Sequence, residues 1–306
     1  MHYLKLIRYK NLLLLAFMQW VFGYLFLQYY LKIDVGLSNF LFGLGIFSTV
    51  CIAAAGYIIN NIIDVETDKI VKPNDVIIGT YITEKQAYNI YFILNVIGVA
   101  IGFYISNSIN KPNFTVLPIV MVSLLYVYST SLKQSLLIGN FVVSILLAIS
   151  LLVVPIYLLY PIITAENQAG VSQIFSIILD YSIFAFLINF IREIVKDMQD
   201  MEGDRKTGMN TLPIVLGISK TRYIVAGLGI FALTLLLWYL YKNVLEAQIL
   251  LVYSLLFLVA PLLFFIIKLF QANQSNDFKQ LSTILKLLIF FGIFSVVVMT
   301  FSNGTL

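Results

Sequence analysis

Long runs of apolar residues alternate with short polar segments along the whole chain. Nine runs hold about 17 residues or more, the length that an α-helix needs to cross the roughly 30 Å hydrocarbon core of a bilayer. Such long, continuous runs favour helices over the strands of a membrane barrel, which are about half as long and alternate in polarity. The pattern predicts an all-α integral membrane protein with nine transmembrane helices, at residues 12–31, 38–59, 87–106, 114–130, 137–160, 173–191, 223–241, 247–267 and 287–303.

The composition agrees with this pattern. Of the 306 residues, 60% are hydrophobic and only 11% charged, against roughly a quarter in soluble proteins. Asp180 is the only charged residue within the nine runs, and no small-residue cleavage site follows the first run, which is therefore interpreted as a retained helix. The single cysteine, Cys51, cannot form an internal disulfide, and the single histidine, His2, is expected at a frayed terminus. Redox chemistry and histidine-based metal binding are not expected.

The basic residues predict how the chain is oriented in the membrane. Nine spans put the two termini on opposite sides, and cytoplasmic loops carry an excess of lysine and arginine. With a cytoplasmic N-terminus, all of the 19 basic residues except Lys32, Lys111 and Lys242 lie in cytoplasmic segments. We therefore expect a multi-pass protein of the cell membrane with its C-terminus outside. The net charge of +4 then belongs to a membrane face rather than to a nucleic-acid surface.

Acidic residues are concentrated in two short stretches, which both follow even-numbered spans and so lie on the same predicted cytoplasmic side. The first reads NNIIDVETDKIVKPND, residues 60–75. If the second helix continues past Ile59, Asn60, Asp64 and Asp68 at i, i+4 and i+8 lie on one helical face, and Glu66 points elsewhere.

The second acidic stretch, residues 193–204, has a similar face. Asp197, Asp200 and Asp204 are spaced i, i+3 and i+7, and Asn189 and Glu193 extend the same face towards the N-terminus. Like charges stacked in this way repel each other, so a cation is expected among them.

The ligand types indicate which cation to expect. Carboxylate and amide oxygens without nearby histidine or cysteine suit Mg²⁺, which usually completes its shell with water and substrate phosphates. The substrate is therefore expected to be a phosphate or diphosphate. Basic residues interleaved with the carboxylates would contact phosphate oxygens that the metal leaves uncovered: Lys72, Arg192, Lys196, Arg205 and Lys206.

Two other interpretations use the same residues. One takes the acidic stretches as ordinary solvated loops that keep helix ends in water, although two face-aligned sets on one side argue against this. A transporter or cation channel also places acids along an ion path. In this chain the acids lie at one rim rather than at the predicted midplane, and paired broken helices are not evident.

These residues resemble the motifs of the UbiA superfamily of intramembrane prenyltransferases. Asn60, Asp64 and Asp68 match the family's N-x-x-x-D-x-x-x-D motif, and KDMQDMEGDRKTGMNTLPIVLG, residues 196–217, resembles its second aspartate motif. YSTSLKQSLLIGN, residues 128–140, and IRYKNLL near the start are similar to two further patterns. The chain departs from the family at Asn61, where Asp is usual, and after Lys72-Pro73, where an arginine is often found. The missing arginine leaves its diphosphate contact to Lys69, Lys72 or Lys133.

The resemblance implies a fold, a reaction and a set of site residues. The fold would be one domain, residues 1–306, with nine helices around a central cavity open to the cytoplasmic side. The reaction would be Mg²⁺-dependent transfer of an isoprenoid chain from a prenyl diphosphate to an acceptor.

The resemblance also implies the site residues. Metal ligands would be Asn60, Asp64, Asp68, Asp197, Asp200 and Asp204, of which Asp64, Asp68, Asp200 and Asp204 are also expected to be catalytic. Diphosphate ligands would be Arg8, Lys72, Lys133, Arg192 and Lys196, and acceptor ligands Asn11, Tyr128 and Ser129. Arg8 and Lys133 are alternatively positive-inside anchors, and Tyr128 an interfacial aromatic residue.

The acceptor is less strongly indicated than the reaction. REIVKDMQDMEGD, residues 192–204, and DVETDKIVKPN, residues 64–74, are most similar to the branch of the family that makes ether lipids from geranylgeranyl diphosphate and geranylgeranylglyceryl phosphate. Aromatic quinone precursors are the alternative acceptors, because enzymes that use them have a similar second motif. A cyclase of the same superfamily, which needs no acceptor, is a further alternative.

Overall fold

The computed structural model describes residues 2–71, 74 and 76–302, with the backbone alone at 70 and 71. Lys72, a predicted diphosphate ligand, lies outside these residues. The described chain is helical, without β-strands, and nine of its helices are long and apolar enough to span a membrane, as predicted. Short helices are α1, His2–Leu6, and α4, Val65–Val71. The nine long helices are α2, Tyr9–Tyr30; α3, Asn39–Ile63; α5, Glu84–Ser108; α6, Pro112–Thr130; α7, Ile138–Ile162; α8, Gln168–Lys206; α9, Leu212–Asn243; α10, Gln248–Gln271; and α11, Ser275–Ser302.

Several helices are longer than their apolar runs. The run at 173–191 belongs to a helix of 39 residues, α8. The run at 223–241 belongs to α9, a 32-residue segment whose helix is interrupted near its start at Gly217, which has φ 81° and ψ 159°. At about 1.5 Å per residue, 39 residues far exceed a hydrocarbon core of roughly 30 Å. Hydrophobicity therefore located the spans but underestimated their length, because a helix satisfies its own backbone groups and can continue into polar sequence. The last turns of α8 carry the second acidic stretch.

The chain divides into two compact units. Unit 1 comprises residues 1–133 and 150–178, and unit 2 comprises residues 134–149 and 179–306. In unit 1, a cluster of buried apolar residues lies directly beside the first acidic stretch and joins α1, the end of α3, residues 77–82 and the start of α5. Its members are Leu6, Ile58, Ile59, Ile62, Ile77, Ile78, Ile82 and Ala87.

The start of α5 is fixed by a capping box next to this cluster. The Thr83 hydroxyl accepts a hydrogen bond from the Gln86 backbone N–H at 3.2 Å, and the Gln86 side chain accepts one from the Thr83 N–H at 3.0 Å. This reciprocal pair satisfies donors that a helix start leaves open. It therefore anchors the segment that follows the first acidic stretch.

The expectation of a frayed N-terminus was wrong. His2 lies in α1, and its ring stacks on Tyr81 with 3.8 Å between ring centroids. Leu6 of the same helix is 1% exposed and belongs to the buried cluster of unit 1. Burial of a single leucine stabilises by about 1.5 to 3 kcal/mol, so Leu6 contributes to holding this short helix against its neighbours.

In unit 2, α8 has one apolar and one polar face along its second half. Its buried apolar residues pack against α9, α10 and α11, and the cluster includes Ile191, Ile194, Val195, Met198, Leu212, Val225, Phe265, Phe278 and Leu285. Asn189, Glu193 and Asp197 alternate with these α8 residues at four-residue intervals. The same periodicity that buries the apolar face therefore aligns the polar side chains on one stripe.

Candidate functional site

The first acidic stretch forms a helical stripe, as predicted. The Asp64 N–H donates to the Asn60 carbonyl at 3.0 Å, and the Asp68 N–H donates to the Asp64 carbonyl at 2.8 Å, so the helical ladder passes from α3 into α4. The Asn60 side-chain Nδ2 donates to Asp64 Oδ2 at 3.0 Å. Glu66 points elsewhere, because its side chain is 83% exposed and pairs with Lys69 at 2.7 Å.

Lys133 completes the surroundings of Asp64. It lies in the short 3-10 turn Leu132–Gln134 that follows α6, and its Nζ donates to the same Oδ2 that accepts from Asn60. Asp64 is only 9% exposed, so the lysine compensates a carboxylate that would otherwise be buried at a high energetic cost. A lysine predicted to bind diphosphate is thus in direct contact with a predicted metal ligand.

The side-chain oxygen of Asn60 indicates a missing partner. Asn60 Oδ1 is buried and has no hydrogen-bond partner. Buried acceptors are normally satisfied, and an unsatisfied one beside a carboxylate fits a hard cation. Among the described residues, however, no three histidine, cysteine or carboxylate side chains are close enough to hold a metal by themselves. The oxygen donors therefore fit Mg²⁺ whose shell is completed by water and substrate phosphate.

Arg8 and Asn11 both contact Tyr57, a residue that was not predicted for the site. The Arg8 guanidinium lies over the Tyr57 ring, 5.2 Å from its centroid, and Asn11 Nδ2 donates to the Tyr57 hydroxyl at 3.3 Å. Tyr57 lies on α3 one turn before Asn60 and two turns before Asp64, so it continues the predicted stripe. That spacing was the available signal. Arg8 itself has φ 51° and ψ 51°, a left-handed residue that separates α1 from α2.

The predicted acceptor ligands Tyr128 and Ser129 lie in the last turn of α6, immediately before the turn that carries Lys133. Ser129 is 3% exposed, and its Oγ is buried without a hydrogen-bond partner. A buried hydroxyl without a partner has the capacity to bind a ligand group or a water molecule. Tyr128 is half-buried.

In unit 2, Asp197 pairs with an asparagine of another helix. Asn140 Nδ2 donates to Asp197 Oδ2 at 2.7 Å, and Asn140 is 7% exposed. Asn140 is the last residue of the YSTSLKQSLLIGN pattern, but it is not among the residues predicted for the site. The two residues are 57 positions apart, so only the packing of α7 against α8 brings them together.

The two predicted diphosphate ligands of unit 2 share one carboxylate. Arg192 Nη1 donates to Glu193 Oε1 at 3.1 Å, and Lys196 Nζ donates to Glu193 Oε2 at 2.7 Å. The Glu193 side chain is only 14% exposed. Arg192 Nε is buried and has no hydrogen-bond partner, so this guanidinium retains a donor for an anion.

Asp200 and Asp204 lie on the final turns of α8. Both are half-buried, and Asp200 Oδ1 is 3.4 Å from the amide nitrogen of Gln199. The helix ends just after them in a Schellman motif, in which the Met209 N–H donates to the Asp204 carbonyl at 3.0 Å and Gly208 has φ 73°. Glycine adopts this left-handed conformation without steric cost. The chain therefore keeps α8 regular through Asp204 and turns away directly afterwards.

Sequence comparison defines the class of this protein. The profile of the UbiA prenyltransferase family matches residues 13–300. The chain belongs to this family and is an enzyme, a prenyltransferase of multi-pass membrane architecture.

The chain is similar to particular enzymes with known names. Over 236 residues the chain is 30% identical to the digeranylgeranylglyceryl phosphate synthase of Methanosphaera stadtmanae, covering 76% of this chain and 78% of the relative. It is 34% identical over 185 residues to the enzyme of the same name from Sulfolobus acidocaldarius, where the match covers 60% of each chain.

Solved structures have the same fold. The chain is similar to a structure of digeranylgeranylglyceryl phosphate synthase with a TM-score of 0.65 and 24% identity, over 98% of this chain and 97% of the other. A UbiA homologue from Archaeoglobus fulgidus bound to DMAPP and Mg²⁺ is similar with a TM-score of 0.60 and 17% identity, over 97% of this chain and 99% of the other. The same homologue has also been solved with GPP and Mg²⁺.

Proposed function

We propose that this protein transfers a geranylgeranyl chain from geranylgeranyl diphosphate to the hydroxyl of geranylgeranylglyceryl phosphate, in a Mg²⁺-dependent reaction. The observation that carries the proposal is the similarity to the Methanosphaera stadtmanae synthase over most of both chains. The A. fulgidus homologue, with DMAPP or GPP and Mg²⁺ bound, supports an allylic diphosphate donor and the metal.

The carboxylate stripes would hold the metal. In unit 1 the ligands of one Mg²⁺ would come from Asn60, Asp64 and Asp68, and in unit 2 those of a second Mg²⁺ would come from Asp197, Asp200 and Asp204, each set in combination with diphosphate oxygens. Bound Mg²⁺ would neutralise negative charge that develops on the diphosphate. The unsatisfied Asn60 Oδ1 and the hard oxygen donors of both stripes support this assignment.

The basic residues would stabilise the leaving group. Arg8, Lys72, Lys133, Arg192 and Lys196 would donate hydrogen bonds to diphosphate oxygens while the bond between the allylic carbon and oxygen breaks. A bond then forms between that carbon and the acceptor hydroxyl oxygen, whose proton is released. The apolar helices would exclude water, which would otherwise capture the carbocation.

Acceptor orientation would depend on Asn11, Tyr128 and Ser129. The buried Ser129 hydroxyl has no partner and so has capacity for the acceptor hydroxyl. Asn11 is already hydrogen-bonded to Tyr57, which would restrict its side chain before the acceptor arrives.

We also propose the topology expected from the sequence. Residues 1–306 would form one domain in the cell membrane, with the N-terminus and the active site on the cytoplasmic side and the C-terminus outside. The location of all basic residues except Lys32, Lys111 and Lys242 in segments of one predicted side supports this orientation.

The proposal is tested by prenyl transfer with purified protein in nanodiscs containing Mg²⁺ and radiolabelled geranylgeranyl diphosphate. Geranylgeranylglyceryl phosphate, 4-hydroxybenzoate, homogentisate and dihydroxynaphthoate would be offered separately. We expect label to move into geranylgeranylglyceryl phosphate and to require Asp64, with Glu66→Ala as the matched acidic control.

Other outcomes would replace the proposal. Label that moves only into an aromatic compound would make this an enzyme of quinone synthesis. Release of diphosphate without any acceptor would indicate a cyclase. The absence of both prenyl transfer and diphosphate release would favour the transporter hypothesis instead.

A further inference from the structure

Asn140 belongs to a buried polar network that joins two helices of unit 2. The side-chain amide of Asn189 on α8 donates to Ser144 Oγ on α7 at 3.2 Å, and Ser144 Oγ donates to the backbone carbonyl of Asn140 at 2.7 Å. The side-chain amide of Asn140 makes a second link to α8, because its Nδ2 donates to Asp197 Oδ2 at 2.7 Å. The exposed fractions of Asn140, Ser144 and Asn189 are 7%, 0% and 6%.

The two links between the helices differ in what they hold. The Asn189–Ser144 link joins two neutral groups of α7 and α8. The Asn140–Asp197 link ends on a carboxylate that the proposed function assigns to the metal. A carboxylate has several acceptor positions, so one short bond at Oδ2 fixes its plane and leaves other positions for a cation.

An amide is also a suitable partner for such a carboxylate. It donates a hydrogen bond without contributing charge, so it orients Asp197 and does not compete with a cation for the negative charge. Two cations nearby on α8, Arg192 and Lys196, both pair with Glu193. In unit 1, by contrast, Lys133 contacts Asp64 directly.

We infer that Asn140 is a positioning residue that holds the Asp197 carboxylate for metal binding, an inference that rests on the proposed function. The α8 helix supplies the carboxylate and α7 sets its orientation. Loss of the amide would leave Asp197 free to rotate, and residues that orient metal ligands in this way typically contribute about 10- to 100-fold to metal affinity.

The test measures Mn²⁺ binding to the full chain by electron paramagnetic resonance, with the unreactive analogue geranylgeranyl S-thiolodiphosphate present. Asn140→Ala removes the donor, and Asn140→Leu removes it while filling most of the space. We expect both variants to raise the Kd for Mn²⁺ about 10- to 100-fold. Ser144→Ala removes the neighbouring link to Asn189 and the bond to the Asn140 backbone carbonyl, but it leaves the Asn140 side-chain amide in place. It should lower the melting temperature without changing this Kd.

A matched asparagine elsewhere controls for the loss of an amide. Asn95 Nδ2 donates to the Tyr91 carbonyl within α5, at 3.0 Å and away from the acidic stretches in sequence, so Asn95→Ala should bind Mn²⁺ as the wild type does. An unchanged Kd in folded Asn140→Leu, or an equal rise in Ser144→Ala, would overturn the inference and leave the proposed function intact. Failure of the wild type to bind Mn²⁺ with the analogue would overturn both.

Discussion

The two acidic stretches use the same pair of residue types but build it differently. In unit 1, Asn60 and Asp64 are four residues apart on one continuous helical ladder, and their side chains are 3.0 Å apart. In unit 2, Asn140 and Asp197 come from different helices and are joined at 2.7 Å. The first pair therefore forms with its helix, whereas the second depends on tertiary packing.

The charges around the two pairs also differ. Asp64 is compensated directly by Lys133, while Asp197 has the neutral amide of Asn140 and the nearby cations are held by Glu193. A lysine on a carboxylate neutralises it before any ligand binds. An amide orients it and leaves the charge in place. The comparison indicates that removing a residue should have different consequences in the two units.

Replacing Asp64 is expected to have the largest effect. Asp64→Asn removes the proposed metal ligand and the counter-ion of Lys133 together, and we expect kcat/KM for prenyl transfer to fall about 1,000-fold, as for loss of a principal electrostatic group. Steady-state transfer assays measure this. Glu66→Gln, in the same stretch but highly exposed, should retain the wild-type rate. Wild-type activity in Asp64→Asn would remove unit 1 from the proposed site.

Replacing Lys133 should have the next largest effect. In Lys133→Ala the poorly exposed Asp64 loses its cation, and the diphosphate loses a proposed donor, so we expect kcat to fall about 100-fold. The protein without substrate should also be less stable by about 1 to 3 kcal/mol, because a buried carboxylate loses its partner. Transfer assays and thermal unfolding test these two effects separately. Lys85→Ala removes an exposed lysine from α5 and should change neither.

Replacing Glu193 should have a smaller effect that is expressed mainly in binding. Glu193→Gln removes the carboxylate that positions Arg192 and Lys196, so we expect KM for the prenyl diphosphate to rise about 10-fold, equivalent to roughly 1.4 kcal/mol. Glu202→Gln, an exposed change on the same helix, is the control. A lower KM would mean that Glu193 competes with the diphosphate for these two cations, and an unchanged KM would mean that Glu193 does not organise them for binding.

A packing change behind the first stripe should affect stability rather than chemistry. A Cβ added at Gly98 on α5 would lie 2.6 Å from Ile52 Cγ1 and 3.2 Å from the Ser48 carbonyl on α3. We expect Gly98→Ala to destabilise the protein by about 1 to 3 kcal/mol through overpacking. Gly43→Ala, at a position with open space, should not destabilise it. Thermal unfolding in detergent compares them, and equal melting temperatures would show that α3 and α5 can move apart.

Local features of this protein were predictable because their determinants are close in sequence. The nine spans follow from long apolar runs, and the stripe of Asn60, Asp64 and Asp68 follows from four-residue spacing. The exposed position of Glu66 follows from the same periodicity. The extent of α8 did not follow from hydrophobicity, which marks only the membrane core. The signal for the polar turns was the helical spacing of Asp197, Asp200 and Asp204.

Contacts between distant segments were not predictable from one sequence. Nothing near Asn140 indicates Asp197, which is 57 residues away. The contact of Lys133 with Asp64 spans 69 residues and depends on the turn after α6. Tyr57 is an intermediate case, because its spacing from Asn60 was visible whereas its contacts with Arg8 and Asn11 required the packing of α2 against α3.

Metal dependence of the wild-type enzyme tests the central claim most directly. Protein stripped with EDTA would be given radiolabelled geranylgeranyl diphosphate and geranylgeranylglyceryl phosphate while Mg²⁺ is titrated back. We expect no transfer without metal and a rate that rises with Mg²⁺ until it saturates, because the two carboxylate stripes are proposed to act through the metal. Transfer at full rate in the presence of EDTA would contradict the account.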